Sequence, residues 1–564
     1  MTTLKLNSIL DQLDELKGRF DARSSRVVEK TIARLSRLKV SDADTLIRYH
    51  ELLLFVRAYP QNASIVRIVE TELTSFSERV SALRDEDADL TAMESPEVSG
   101  IAGTSVVDTF TYPIVSWLVK HQPGRVALDW DWFEDEYRLA ASWPRFMPLL
   151  EEDASVEANV PYSEWLGAAA GGNKELSWLI KRFESLPRTE KEKAELYEAQ
   201  KLYVRWTPTY RASRTGMRLA GSKKFYHREP LIQRRDVSLP DELQQPAPAL
   251  QQLSAKQGEA ILDMTREAST IRYRELFGFT HGDPRRVFKT SLGRGVELFI
   301  AGLPPNWRLP LRAYHAAMIF KNGVAIGYFE GLSLFERMES GFNLYYTFRE
   351  GETAWLYAKI LNVFRDLAGV TSFAIDPYQI GYENEEGIES GAFWFYRKLG
   401  FRPTSPEILK LVRREEDRIA SRKGYRTLAR TLRKIAAGPM IFEMDQTKSG
   451  DWDRFQLRRL GLRVQKLMAA KYQGDVEKVT KAAVKNAVRV LQIDLTGWSA
   501  AEMTPLNTFA VALALVPDLD KWDLSEKRQL VKIIEAKNRG DETTYLKLMQ
   551  KHMRLRAALI KAGS

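Results

Sequence analysis

The sequence predicts a mixed α/β (α+β) domain between residues 255 and 445, with all-helical regions on either side. A helical pattern at KQGEAILDMTREASTIRYRELFGF is followed by four apolar runs of strand length, and then by a helix, a strand and a further helix. Lys321-Asn322-Gly323, between the second and third runs, is typical of a tight β-hairpin. Both ends of the chain instead show helical periodicity, which predicts helical flanks.

Composition limits the possible classes of protein. The 564 residues are too many for one hydrophobic core and suggest roughly three to five units. The chain has no cysteine, which excludes disulfides, thiolate zinc sites and a cysteine nucleophile. The six histidines show no spacing typical of a metal site, so we predict no metal. We expect a cytoplasmic protein.

The first 90 residues are predicted to form a helical bundle. Apolar residues recur at helical spacing from Leu6 to Leu16 with acids between them, which indicates an amphipathic helix rather than a signal sequence. No apolar run approaches the roughly 18 residues that cross a bilayer. A segment rich in acids, serine, glycine and proline at 85–105 marks the end of this region.

Two later stretches are strongly basic. Residues 105–240 are predicted to be helical and rich in tryptophan, and 204–235 contain nine basic residues and one acid, with aromatic residues between them. Residues 402–435 contain eleven basic and four acidic residues, and 405–435 read as a helical insertion. RNA, tRNA or an acidic carrier protein would suit these stretches, and so would a solvated, salt-bridged surface. Residues 450–564 are predicted to be helical.

Three stretches of the α/β region resemble the GNAT superfamily of acyl-coenzyme A-dependent transferases: FNLYYTFREGETAWLYAKIL, SFAIDP and ESGAFWFYRKLGF. In that superfamily a strand runs into a glycine-containing turn and a long helix, and a later strand leads to a helix that ends in a Tyr-x-x-x-Gly-Phe signature. Tyr396, Gly400 and Phe401 match this signature, and Ala392 lies one turn earlier. The resemblance covers about 255–445 and implies a mixed sheet with helices on both faces.

The turn between the strand predicted to end at Phe348 and the next helix is the expected pyrophosphate site of acyl-coenzyme A. Free N–H groups and the helix dipole attract phosphate at such a place. Gly351 would let phosphate approach the backbone, Arg349 would pair with it, and Thr353 and Ala354 would open the helix. The family's usual turn has glutamine or arginine, two residues, glycine, one residue and then glycine or alanine, so the spacing here differs.

Two acids, Glu350 and Glu352, lie in the same turn. They would weaken phosphate binding unless they point outward. The irregular turn therefore supports an alternative, a binding or scaffold protein whose GNAT-like domain has lost its donor site.

Tyr396 is the residue to which the resemblance assigns catalysis. The equivalent tyrosine of the family commonly protonates the departing thiolate, and a phenol suits this task because it is neutral near pH 7. The alternative is that Tyr396 only packs against Phe393 and Phe395. Backbone N–H groups of the strand predicted to end at Phe348 are the expected donors to the oxyanion.

The acceptor requires a base and a binding surface. Glu330, between apolar strand residues, is the first candidate base, Asp376 the second, and His315 on the preceding strand the third. Each has a structural alternative, a solvent-facing carboxylate or a packed histidine. Four residues after the strand at SFAID are predicted to bind the acceptor: Tyr378, Gln379, Asn384 and Glu389.

The sequence thus predicts an acyltransferase that acts on a small-molecule or protein amine, or on a hydroxyl, without a metal. The scaffold protein described above is one alternative. A transferase that uses aminoacyl-tRNA is another, and it depends on the two basic stretches.

Overall fold

The structure, a computed structural model, describes residues 3–564 apart from 134, 135, 141, 147, 149–159, 172 and 173. The N-terminal region is helical as predicted. Its helices are α1 (Thr3–Leu16), α2 (Ala22–Leu35), α3 (Ala43–Ala58), α4 (Ala63–Thr74) and α5 (Phe76–Asp85). The apolar face of α1 is buried from Leu6 to Leu13, which confirms its amphipathic character.

The next region combines short strands with helices. Its elements are β1 (Val106–Asp108), α6 (Tyr112–His121), β2 (Val126–Leu128), α7 (Tyr162–Ala170), α8 (Glu175–Glu184), α9 (Glu190–Glu198), β3 (Val204–Trp206) and α10 (Leu239–Glu242). The strands form an antiparallel sheet in the order β1-β3-β2. The sequence predicts only helices here, because three-residue strands are too short to show a period of two.

A nine-stranded mixed sheet lies at the centre of the molecule. Its strands are β4 (Gln251–Gln252), β5 (Val287–Gly293), β6 (Val296–Ala301), β7 (Ala313–Lys321), β8 (Val324–Leu334), β9 (Arg337–Leu344), β10 (Ser372–Ile375), β11 (Arg402–Pro403) and β12 (Met440–Glu443). Their order is β11-β12-β10-β9-β8-β7-β6-β5-β4. All neighbours pair antiparallel except β9 and β10, which are parallel.

Helices cover both faces of this sheet, and the predicted mixed α/β fold is therefore confirmed at this level. They are α11 (Ala255–Thr270), α12 (Phe277–Thr280), α13 (Thr353–Ala368), α14 (Glu385–Glu389), α15 (Ala392–Lys398), α16 (Pro406–Ser421) and α17 (Ala429–Ile435). On one face, Phe364 of α13 stacks on Phe329 with ring centroids 5.0 Å apart. On the other, the Gly278 N–H of α12 donates to the Tyr314 hydroxyl.

The hairpin between β7 and β8 is confirmed. Asn322 and Gly323 have φ values of 51° and 83°, the left-handed conformation that a two-residue hairpin turn requires. The predicted boundaries of β9 were wrong, because the strand ends at Leu344 and Tyr346–Phe348 form a 3-10 turn. Strand β5 was not predicted.

The C-terminal region is helical. Its helices are α18 (Leu457–Tyr472), α19 (Val476–Leu491), α20 (Ala500–Leu513), α21 (Leu524–Asn538), α22 (Glu542–Lys551) and α23 (Met553–Gly563). The Tyr545 hydroxyl of α22 donates to the Leu311 carbonyl at 2.5 Å, and Arg556 of α23 donates to buried Glu336 at 2.5 Å. These bonds attach the helices to the ends of β7 and β9. Within the described ranges, no helix is both long and apolar enough to cross a membrane.

Candidate active site

A cleft of about 470 Å³ opens where β9 and β10 separate. The two strands pair only between Arg337–Glu339 and Ser372–Ala374. Beyond this register β9 continues to Leu344, whereas β10 ends at Ile375. Ligands of open α/β sheets commonly bind outside the carboxyl ends of such strands.

Four of the residues predicted to bind the donor line this cleft: Arg349, Gly351, Thr353 and Ala354. The fifth, Phe348, does not, since it is buried and its N–H donates to the Tyr345 carbonyl at 2.8 Å. The backbone donor expected at Phe348 is therefore already used within the 3-10 turn.

The N-terminus of α13 has free backbone donors. The Thr353 hydroxyl donates to the Arg349 carbonyl at 2.9 Å instead of accepting from the helix, and the side chain of Glu352 makes no capping bond. In the part of the chain that the structure describes, the N–H groups of Thr353 and Ala354 have no acceptor. Free amides at the positive end of a 16-residue helix favour an anion.

The two acids of the turn differ in their environment. The Glu352 carboxylate is 1% exposed and lies 2.6 Å from Arg294 and 3.1 Å from Lys321, so cations from other parts of the chain neutralise it. Glu350 lines the cleft, is 72% exposed and pairs at 2.7 Å with Lys17 of α1, which also pairs with Asp14. The charge of Glu350 is therefore only partly compensated.

Gly351 is required for a reason that the sequence did not show. A Cβ atom on this residue would lie 2.2 Å from the Tyr59 hydroxyl oxygen, which is a clash. Tyr59 follows α3, so the N-terminal helices pack directly against the turn. The close approach of Tyr59, rather than of a phosphate, accounts for the glycine.

Tyr396 also lines the cleft, beside Ala392 and Phe395 of α15. Its ring packs edge-on against Tyr357 with centroids 5.5 Å apart, and the residue is only 3% exposed. Its hydroxyl makes no hydrogen bond with any residue that the structure describes. Burial raises the pKa of Tyr396 above its ordinary value, which keeps the phenol protonated. The ring thus packs in the core and the hydroxyl remains available as a donor.

Three of the predicted acceptor residues, Tyr378, Gln379 and Asn384, line the same cleft. The Asn384 amide donates to the Tyr378 carbonyl at 2.9 Å, which fixes the loop after β10. Glu389 is exposed outside the cleft. Glu386 lines the cleft where Glu389 was expected, and its carboxylate pairs with Arg349.

Glu330 adjoins the cleft without lining it. Its carboxylate accepts a hydrogen bond from the Tyr314 hydroxyl, and burial raises its pKa. A Cβ atom on Gly341 would lie 3.7 Å from the Gln379 amide nitrogen and 3.9 Å from the Glu330 Cβ. Gly341 therefore lies beside both Glu330 and a residue of the cleft.

The other two candidate bases lie elsewhere. Asp376 accepts from the Tyr378 N–H at 2.9 Å and so begins the turn after β10. His315 is buried on the α13 face of the sheet, 6.0 Å from the Phe364 ring, and burial lowers its pKa. Among the described residues, no group of three or more histidine and carboxylate side chains is placed to hold a metal ion.

Part of the cleft comes from a segment that the site prediction did not include. Ile232, Gln233 and Arg234 line it. The Ile232 N–H donates to Glu352 at 3.3 Å, and the Arg234 guanidinium donates to the Lys398 carbonyl at 2.9 Å. The only sequence signal for this segment was its basic composition.

Two arginines of 204–235 pair with acids of the N-terminal helices. Arg214 is 3% exposed and pairs with Glu51 at 2.7 Å. Arg218 pairs with Glu70 at 2.9 Å, although its side chain is 55% exposed. Most of the other basic residues of this stretch are exposed, so the stretch also leaves positive charge on the surface.

Comparisons with descriptions of known protein families, with curated proteins and with solved structures each found no match. The motifs quoted above remain the basis of the resemblance to the GNAT superfamily.

Proposed function

We propose that this protein is an acyltransferase of the GNAT type, which transfers an acyl group from acyl-coenzyme A, or another thioester, to an amine or hydroxyl acceptor. The observation that carries the proposal is the cleft, in which the N-terminus of α13 and the unpaired Tyr396 hydroxyl meet at the gap between two parallel strands. The chain order supports it as well: β9, turn and α13, then β10 beside β9, and then α15 with its tyrosine.

The donor would lie along β9 with its pyrophosphate at α13. The free N–H groups of Thr353 and Ala354 suit the phosphates, and Arg234 adds a positive charge at the same wall. Because the Tyr345 N–H donates to the Ile326 carbonyl of β8, the alternation of an antiparallel ladder turns the Phe342 N–H toward the cleft. That amide replaces Phe348 as the expected donor to the thioester oxygen.

The transfer then needs two proton movements. The acceptor nitrogen attacks the thioester carbon while its proton passes to the Glu330 carboxylate, directly or through water. The C–S bond breaks, and the departing thiolate takes the proton of the Tyr396 hydroxyl. Glu330 then releases its proton to solvent and Tyr396 regains one from solvent, so the products are the amide and the free thiol and both residues return to their starting states.

Two measurements test this function. Titration calorimetry with acetyl-coenzyme A and with a longer acyl-coenzyme A should show binding, whereas no heat with either would favour the scaffold protein. Tyr396→Phe should lower kcat about 100-fold, because a positioned acid contributes a factor of this order, and leave donor affinity unchanged. Tyr472→Phe on α18 is the matched control. Unchanged turnover in Tyr396→Phe would remove the leaving-group role.

A second candidate is a transferase that takes its acyl group from aminoacyl-tRNA. The observation that favours it is the exposure of basic side chains on α16 and α17, which lie close to the cleft: α17 packs against α14, and Glu416 of α16 pairs with Arg397 of α15. An acidic carrier protein would suit the same charges.

A further inference from the structure

We propose that the acceptor carries a carboxylate close to its reacting amine, and that Arg272, Arg274 and Asn343 bind this carboxylate. The proposal rests on the function proposed above and narrows its acceptor to molecules of the amino-acid type. The site is a hollow of about 30 Å³ that continues from the cleft. A single water needs roughly 10 to 15 Å³ by such a measure, so the two oxygens of a carboxylate fit.

Arg272 is a buried cation without a carboxylate partner. It is 5% exposed, and its ring contact is with Tyr345, whose centroid lies 4.1 Å from the guanidinium carbon. One guanidinium nitrogen donates to the Ala268 carbonyl at 2.6 Å, but Nε has no acceptor. No acid of the described chain contacts it directly, and the carboxylate of Glu51 stabilises its charge only from a distance. A buried charge of this kind is costly unless an anion binds to it.

Two further arginines, Arg274 and Arg349, line both the hollow and the cleft. Glu386 is the acid that faces them, and it contacts Arg349 closely but lies 3.9 Å from Arg274. Glu97 also borders the hollow, and its carboxylate forms no ion pair with a described residue. Three arginines therefore face two carboxylates, Glu386 and Glu97, which leaves one positive charge in excess.

The position of Asn343 indicates that the carboxylate bound in the hollow is part of the acceptor molecule and not of the acyl donor. Asn343 lines the hollow and the cleft, and it follows Phe342, whose N–H is expected at the thioester oxygen. Neighbouring residues of a strand are about 3.3 Å apart along its axis. In an acceptor whose carboxylate binds at Asn343, only a few covalent bonds can therefore separate this carboxylate from the reacting nitrogen. Of the residues predicted to bind the donor, Arg349 lines the hollow, whereas Gly351, Thr353 and Ala354 do not.

The test measures binding without any acyl donor, so that it stays independent of catalysis. Thermal denaturation and calorimetry would be run with a panel of L-amino acids, their decarboxylated amines, their amides and inorganic phosphate. We expect at least one amino acid to bind, its amine and amide to bind at least tenfold more weakly, and phosphate to bind less well than the amino acid. Charge-assisted hydrogen bonds contribute on this scale.

Variants of residues that line the hollow test whether the amino acid binds there. Arg274→Gln should weaken amino-acid affinity about tenfold, and Asn343→Asp should weaken it by charge repulsion with little change in shape. Arg463→Gln, an exposed arginine of α18, is the control and should bind normally. Equal affinity for amino acids and amides, preference for phosphate, no binding in the panel, or normal binding by Arg274→Gln would each overturn the proposal. If an amino acid binds but neither acyl-coenzyme A does, the proposal of a carboxylate site in the hollow stands and the proposal of an acyltransferase is refuted.

Discussion

Glu330 lies on an inner strand of the sheet. Its carboxylate accepts a hydrogen bond from the Tyr314 hydroxyl of the neighbouring strand, and this bond fixes the orientation of the carboxylate. Burial disfavours the ionised form and raises its pKa above the ordinary 4.5. A carboxylate with a raised pKa is a stronger base, as deprotonation of an amine requires.

Replacement of Glu330 by glutamine should lower kcat/KM about 100-fold. A base must be ionised, so the activity of the native protein should rise with pH through the raised pKa, with its inflection above 4.5. Glu330→Gln should lose this limb of the pH profile. Glu389→Gln, which alters an exposed carboxylate outside the cleft, is the control. An unchanged acidic limb in Glu330→Gln would exclude it as the base.

The sequence could place Tyr396 and the turn at Gly351 in the candidate site, because the motifs that contain them are short and local. It could not separate Glu330 from His315, since successive strand residues face opposite sides and the sequence does not say which side opens to the cleft. Arg272 and Arg274 were missed because they lie after α11, far along the chain from the turn, and only the fold brings them to β9.

At the scale of elements, the N-terminus of α13 depends on a buried cluster of charges. Lys321, at the end of β7, is fully buried and pairs with Glu352, and burial lowers its pKa to about 8. Arg294 completes the cluster from the turn between β5 and β6. The cluster holds the first residues of the helix against the sheet.

Lys321→Met should destabilise the protein by roughly 3 kcal/mol, because it leaves part of a buried carboxylate uncompensated. Urea denaturation would measure the loss, and Lys423→Met on the exposed surface should change stability little. Donor affinity should fall in the same variant, since the free amides of α13 would lose their support. Native stability in Lys321→Met would show that Arg294 alone holds Glu352.

Long elements were easier to predict than short ones. The helix of α13 and the hairpin of β7 and β8 have clear periodicity and a clear turn signal. The end of β9 was placed too late, because Tyr345 to Phe348 are as apolar as the strand before them. Their 3-10 turn results from bonds such as that of the Phe348 N–H to the Tyr345 carbonyl, which no local pattern specifies.

At the scale of the whole molecule, α16, α17 and the loop between them carry a set of exposed positive charges. Eight exposed basic side chains of 406–435 that form no ion pair with described residues define the basic surface: Lys410, Arg413, Arg414, Arg422, Lys423, Arg426, Arg430 and Lys434. A surface of this kind suits a phosphate backbone.

If tRNA binds to the basic surface, its affinity should fall steeply with salt. Changing Arg413, Arg414 and Lys423 together to glutamine should reduce the slope of log K against log salt by roughly one for each phosphate that the variant no longer neutralises. Filter binding would measure it. The matched control changes Arg463, Lys466 and Lys485 on α18 and α19. No retention of tRNA at low salt, or an equal reduction of the slope in the control, would argue against this partner.

Because Tyr59 packs on Gly351, the shape of the cleft depends on parts of the chain that are distant in sequence. Tyr59 covers the glycine, Lys17 pairs with Glu350, and Ile232 completes the wall beside Glu352. A fragment trimmed to residues 255–445 would lose all three supports while keeping every motif that marks the site. The smallest fragment with an intact cleft is therefore larger than the segment that resembles a transferase, and substitutions in the N-terminal helices should alter the cleft.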